Sequence, residues 1–100
     1  MAVTSTISLR VREGRLGEQI ELLKGVKRLV ERAGGTLRVH RQIFGSQMNT
    51  LVVVGEYKDW NSFAKLRSDP ELAQLVERAR SGPNPAAESI EADIYEELPI

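Results

Sequence analysis

Apolar and polar residues alternate from Thr4 to Arg12, with Ile7, Leu9 and Val11 on one face and Thr6, Ser8 and Arg10 on the other. A period of two is the mark of a half-buried strand. Gly14 and Gly17 break the alternation. From Leu16 onward Ile20, Leu23, Val26, Leu29, Val30 and Ala33 recur at the spacing of an amphipathic helix. Glu18 and Glu21 near its start and Lys27, Arg28 and Arg32 near its end complement the helix dipole, and Gly34-Gly35 supplies the stop. A second strand follows. It carries Leu37, Val39 and Ile43 on one face and Arg38, His40, Gln42 and Phe44 on the other, with Arg41 interrupting the apolar row in mid-strand. Residues 45–49 read as a hairpin loop. The third strand, Leu51 to Tyr57, is apolar on both faces, which suits a central strand covered on both sides.

Asp59 is placed to cap a short helix carrying Trp60, Phe63, Ala64 and Leu66. Asp69-Pro70-Glu71 restarts it with a cap, a proline at the first helical position and an acidic first turn, and Leu72, Leu75, Val76 and Ala79 continue the apolar stripe. Residues 81–85, with one glycine and two prolines, form a loop. A last alternating segment, Ser89 to Leu98, completes the order βαββαβ in one domain spanning residues 1–100. Right-handed crossovers then put strands one and three in the centre, strands two and four at the edges, and the helices on one face. This is a ferredoxin-like α+β sandwich with a four-stranded antiparallel sheet.

One sheet face of such a sandwich is bare, yet the third strand offers water no polar side. Val52 and Val54 on it, flanked by Thr6, Ser8, His40, Phe44 and Tyr95, read as a surface that a second copy covers in a two-fold dimer. The stretch from Gly55-Glu56-Tyr57-Lys58-Asp59-Trp60 through Phe63 to Ser68-Asp69-Pro70-Glu71-Leu72 resembles the strand-to-helix segment of the dimeric α/β-barrel superfamily. The Glu-Tyr-x-x-Trp-x-x-Phe start and the Ser-Asp-Pro-Glu-Leu restart are most similar to NIPSNAP-like members, and antibiotic-biosynthesis monooxygenases and haem-degrading enzymes share the superfamily. The resemblance implies a homodimeric α/β barrel. Haem-degrading members use a histidine on the helix after the third strand, where this chain has Lys65, Leu66 and Arg67, so no haem or other cofactor is expected.

Composition narrows the chemistry. The 100 residues include no cysteine, which removes thiolate catalysis and thiolate metal sites. No run approaches the length of a membrane span, and the first residues lack the features of a secretory signal, so a cytoplasmic location is expected. No phosphate-binding glycine loop occurs, no spacing suggests a metal site, and Tyr57 is the sole aromatic of the third strand, which argues against an RNA-binding sheet.

His40, the only histidine, is the sole imidazole available as a general base, and Arg41 is a candidate ligand or ion-pair residue because it breaks an apolar row. Glu56 and Glu96, also on apolar rows, suit rim positions at strand ends. Trp60 and Phe63 are candidates to floor an apolar pocket, and Tyr57, Tyr95 and Asn49 to donate hydrogen bonds to a ligand. Three functional expectations follow: a homodimer enclosing a small hydrophobic or amphipathic ligand, a cofactor-independent monooxygenase of the antibiotic-biosynthesis type, and a non-catalytic structural dimer. The formal net charge is zero, but basic residues concentrate in the first half and acidic ones in the second. Basic strand two (Arg38, Arg41) and acidic strand four (Glu91, Asp93, Glu96, Glu97) are expected as complementary edges that meet across a dimer.

Overall fold

Alternation and helical spacing translate into seven elements in the computed structural model, which describes residues 1–45, 50–82 and 85–100. They are β1 (Val3–Val11), α1 (Leu16–Arg32), β2 (Thr36–Arg41), β3 (Thr50–Tyr57), α2 (Trp60–Arg67), α3 (Pro70–Arg80) and β4 (Ala87–Glu96). The sheet is antiparallel throughout in the order β2-β3-β1-β4, with the helices on one side. The chain thus has the ferredoxin-like fold, with β1 and β3 central and β2 and β4 at the edges.

The register shows which residues share a face. Ile7 lies between Val53 and Ala92, Leu9 between Leu51 and Ile90, and Val39 and Arg41 lie beside Val53 and Leu51. This is the face under the helices. Its core comprises Val3, Leu9, Leu37, Leu51, Val53 and Tyr57 from the strands, Leu23, Leu29 and Val30 from α1, and Phe63 and Leu66 from α2. The opposite face is built of rows that each run from β2 to β4: Arg38, Val54, Thr6, Asp93 in one, and His40, Val52, Ser8, Glu91 in the next. Nothing covers it. The molecule is a slab with extents of 40, 33 and 18 Å.

Local signals set the helix ends. The Asp59 carboxylate accepts from the Ser62 N–H at 2.8 Å and the Asp69 carboxylate from the Glu71 N–H at 2.9 Å, so both short helices are capped as their sequences require. Helix α1 opens at Arg15 with no side-chain cap. Gly34, at φ 89°, closes it in the left-handed region.

The sequence reading needs correction at β2. The strand ends at Arg41 rather than running to Phe44, so Arg41 is terminal and not in mid-strand. Ile43 and Phe44 lie beyond it, Phe44 90% exposed, and Phe44 is no part of the uncovered face. The Gln42 N–H still donates to the Thr50 carbonyl at 2.9 Å, so main-chain pairing persists one residue further without a strand. Residues 46–49 of the expected hairpin loop, Asn49 among them, and residues 83 and 84 of the later loop lie outside the described residues.

Candidate functional site

Two groups of the sequence-predicted residues come together, at opposite ends of β3. Tyr57 ends the strand, while Leu51 near its start pairs with Arg41. Six residues separate the two rows, which at ~3.3 Å per residue is about 20 Å.

At the Tyr57 end the aromatics form a cluster. The ring centroids of Tyr57 and Phe63 lie 5.1 Å apart, edge to face, and those of Trp60 and Phe63 lie 5.4 Å apart. Tyr57 and Phe63 are buried in the core, and Trp60 is 54% exposed on top of Phe63. Tyr57 folds back along its strand, so that a Cβ on Gly55 would lie 2.7 Å from its hydroxyl and 2.8 Å from Ser5 Oγ. The hydroxyl bonds to Ser5; burial nevertheless dominates and pushes the phenol above its ordinary pKa. The cluster is packed interior with one exposed indole.

At the other end is a cavity. It has a volume of about 400 Å³ and opens between α1 and β2 at the sheet edge, with Leu16, Ile20, Leu23, Val39 and Leu51 as its apolar lining. Lys24, Lys27, His40 and Arg41 complete the lining, which includes no carboxylate among the described residues. Leu16, Ile20 and Val39 remain 40%, 39% and 42% exposed, although all three fall on apolar rows of their elements. The architecture accounts for this exposure: α1 packs on β2, an edge strand, and no strand lies beyond it among the described residues.

Strand alternation separates His40 from its neighbour. Arg41 shares the helix-side face with Val39, whereas the side chain of His40 belongs with Val52 on the uncovered face, so His40 borders the cavity through its backbone. Lys24 pairs with Glu21 at 3.1 Å and Lys27 with Glu31 at 3.7 Å. Tyr95 stands alone on edge strand β4, half exposed, beside Thr4. Glu56 and Glu96 occupy the ends of β3 and β4, the rim positions their sequence context indicates. The residues of α1 were not singled out from sequence, yet a signal exists: Leu16, Ile20, Leu23 and Lys27 succeed one another at steps of four, three and four, which sets a cation on the line of an apolar stripe. Among the described residues no group of three or more His, Asp or Glu side chains could hold a metal ion, and no helix is long and apolar enough to cross a membrane.

The architecture defines a class, the ferredoxin-like α+β sandwiches with one open sheet face. Solved structures of that class match nearly the whole chain. SnoaB, a cofactor-independent oxygenase from Streptomyces nogalater, superposes with a TM-score of 0.76 at 16% identity, covering 99% of this chain and 95% of that one. A Deinococcus radiodurans protein named for the antibiotic biosynthesis monooxygenases gives 0.81 at 13% identity over 98% and 94%. An uncharacterized NIPSNAP domain protein from Burkholderia xenovorans gives 0.68 at 18% identity over 97% and 95%. The expected kinship in fold with NIPSNAP and monooxygenase proteins is thereby confirmed. By sequence, no family model and no curated protein matches the chain.

Proposed function

We propose that the chain is a homodimeric α/β-barrel protein that encloses a small hydrophobic or amphipathic molecule between α1 and β2. The observation that carries the ligand reading is the convergence of half-exposed Leu16, Ile20 and Val39 on one cavity above buried Leu23 and Leu51. A cavity of this size lies within the ~300–1,000 Å³ range of small-molecule sites. The slab shape supports the dimer. A monomer of 11.2 kDa is expected to expose about 5,700 Å². This chain exposes 7038 Å², and the excess of about 1,300 Å² is more than the ~800 Å² that each partner of a standard interface buries. An apolar fluorescent probe should bind wild-type protein and fail to bind Val39→Glu; equal binding by the two would sink the ligand reading.

A second reading, a cofactor-independent monooxygenase, is favoured by the likeness to SnoaB and by exposed Trp60 on Phe63, a ready aromatic platform. In that chemistry the substrate carbanion itself reacts with oxygen, and the protein supplies a pocket, a hydrogen-bond donor and a base. His40 and Arg41 lie at the opposite end of the sheet from Trp60, so one chain does not gather all the candidates at one site. Oxygen uptake with quinol substrates that is abolished in Trp60→Ala would establish this reading, and the absence of uptake across a broad panel would remove it.

A further inference from the structure

The cations around the α1/β2 cavity are not equivalent. Lys24 and Lys27 are each engaged by a glutamate one turn away on α1, whereas the Arg41 guanidinium has no hydrogen bond or ion pair among the described residues. It is the last residue of β2 and lies on the row of Leu51 and Leu9, at the end of the sheet where β1 gives way to α1. The same end holds Leu16 and the start of α1, which lacks a side-chain cap. Glu18 in that first turn already answers the helix dipole, so the Arg41 guanidinium is the cation left at this end of the apolar trough.

We propose that this cavity binds an amphipathic monocarboxylate of medium chain length, with its hydrocarbon along Leu16, Ile20, Leu23, Val39 and Leu51 and its carboxylate on Arg41. The inference rests on the reading of the cavity as a ligand site and adds the class of ligand. One unpaired cation and no lining carboxylate call for a single negative charge. A guanidinium holds a carboxylate through two parallel hydrogen bonds, a geometry that neither an alcohol nor an amine can match. Leu16 to Leu23 spans about 10 Å along the helix axis, the length of an alkyl chain of roughly eight carbons. A cationic amphiphile would meet the Arg41 guanidinium with no carboxylate among the described lining residues to offset it.

Calorimetric titration with decanoate, decanol and decyltrimethylammonium, below the concentrations at which they form micelles, tests the assignment. Decanoate should bind about five- to tenfold more tightly than decanol, and the ammonium compound should bind least. Each methylene removed from the acid should weaken binding about three- to fourfold. Arg41→Gln should bring decanoate to the level of decanol, Arg41→Lys should restore part of the preference, and Val39→Glu should abolish binding of decanoate and decanol. If the three probes bind equally, the headgroup assignment is overturned while the cavity remains a ligand site. If none binds, both readings fall. If Val39→Glu instead halves the particle mass, the trough is covered by a second copy and the proposal is wrong.

Discussion

At the scale of single residues, Gly55 shows how a small side chain decides what its neighbour can do. Tyr57 leans over it to reach Ser5, and no β-carbon fits beneath the phenol. Gly55→Ala should therefore destabilise the protein by about 1–3 kcal/mol through overpacking. Tyr57→Phe in the same chain should recover part of the loss by removing the nearest atom; additive losses in thermal melts of the single and double variants would contradict that geometry.

Asp59 offers a pH test. Hydrogen bonds from Ser62 hold its carboxyl below its ordinary pKa, so its contribution to stability is present above the unfolded carboxylate value, ~3.9, and is lost as pH falls through the lower folded value. Asp59→Asn keeps a capping oxygen without the titration. It should melt close to wild type at pH 7 and show a shallower loss of Tm between pH 4 and 2. Asp59→Ala should melt roughly 4–8 °C lower at neutral pH.

At the scale of elements, the strands and helices were legible wherever pattern and cap agreed. Both capping aspartates, the proline at the start of α3 and the two-sided apolar β3 are local signals, and local signals survive folding. The end of β2 was not legible. Ile43 and Phe44 extend its alternation, but among the described residues the β2–β3 register ends at Arg41 and Leu51, with one further main-chain bond from Gln42 to Thr50. That termination also relocates Arg41, which breaks the apolar row in sequence because the row itself ends there, at the mouth of the cavity. Candidate site residues were legible as types and not as a group. His40 and Arg41 adjoin in sequence but part across the sheet, while Trp60, Tyr57 and Phe63 gather in a cluster that is mostly core. The cavity owes its existence to the packing of α1 on an edge strand, a tertiary fact without a one-dimensional trace beyond Lys27 on an apolar line.

At the scale of the whole molecule, the asymmetry of charge acquires a direction. Two of the rows on the uncovered face begin at β2 with Arg38 or His40 and finish at β4 with Asp93 or Glu91, apolar and small residues lying between, while a third runs Thr36, Glu56, Thr4, Tyr95. A two-fold axis parallel to the strands would set the β2 end of one copy over the β4 end of its mate, whereas an axis across the strands would oppose like charges. Arg41 and Glu96 belong to the other face, so the edges that meet are narrower than the sequence suggests. Light scattering should give about twice the 11.2 kDa of the chain. Glu91→Lys with Asp93→Lys should weaken association at low salt more than at high salt, and an unchanged dimer constant would exclude this arrangement.

The alternation at the end of β2 has a practical consequence. Because the chain contains no cysteine, one thiol placed at position 40 or 41 would be the only thiol in the molecule, and the two positions would report on different layers from adjacent places in the backbone. Alkylation at position 40 should slow as protein concentration rises and be indifferent to small molecules. Alkylation at position 41 should be independent of concentration and slow when the trough is filled with decanol, whose binding does not call on the guanidinium. A single strand thus offers a two-channel chemical readout of assembly and occupancy, and crossover between the channels would show that the two surfaces are not separate.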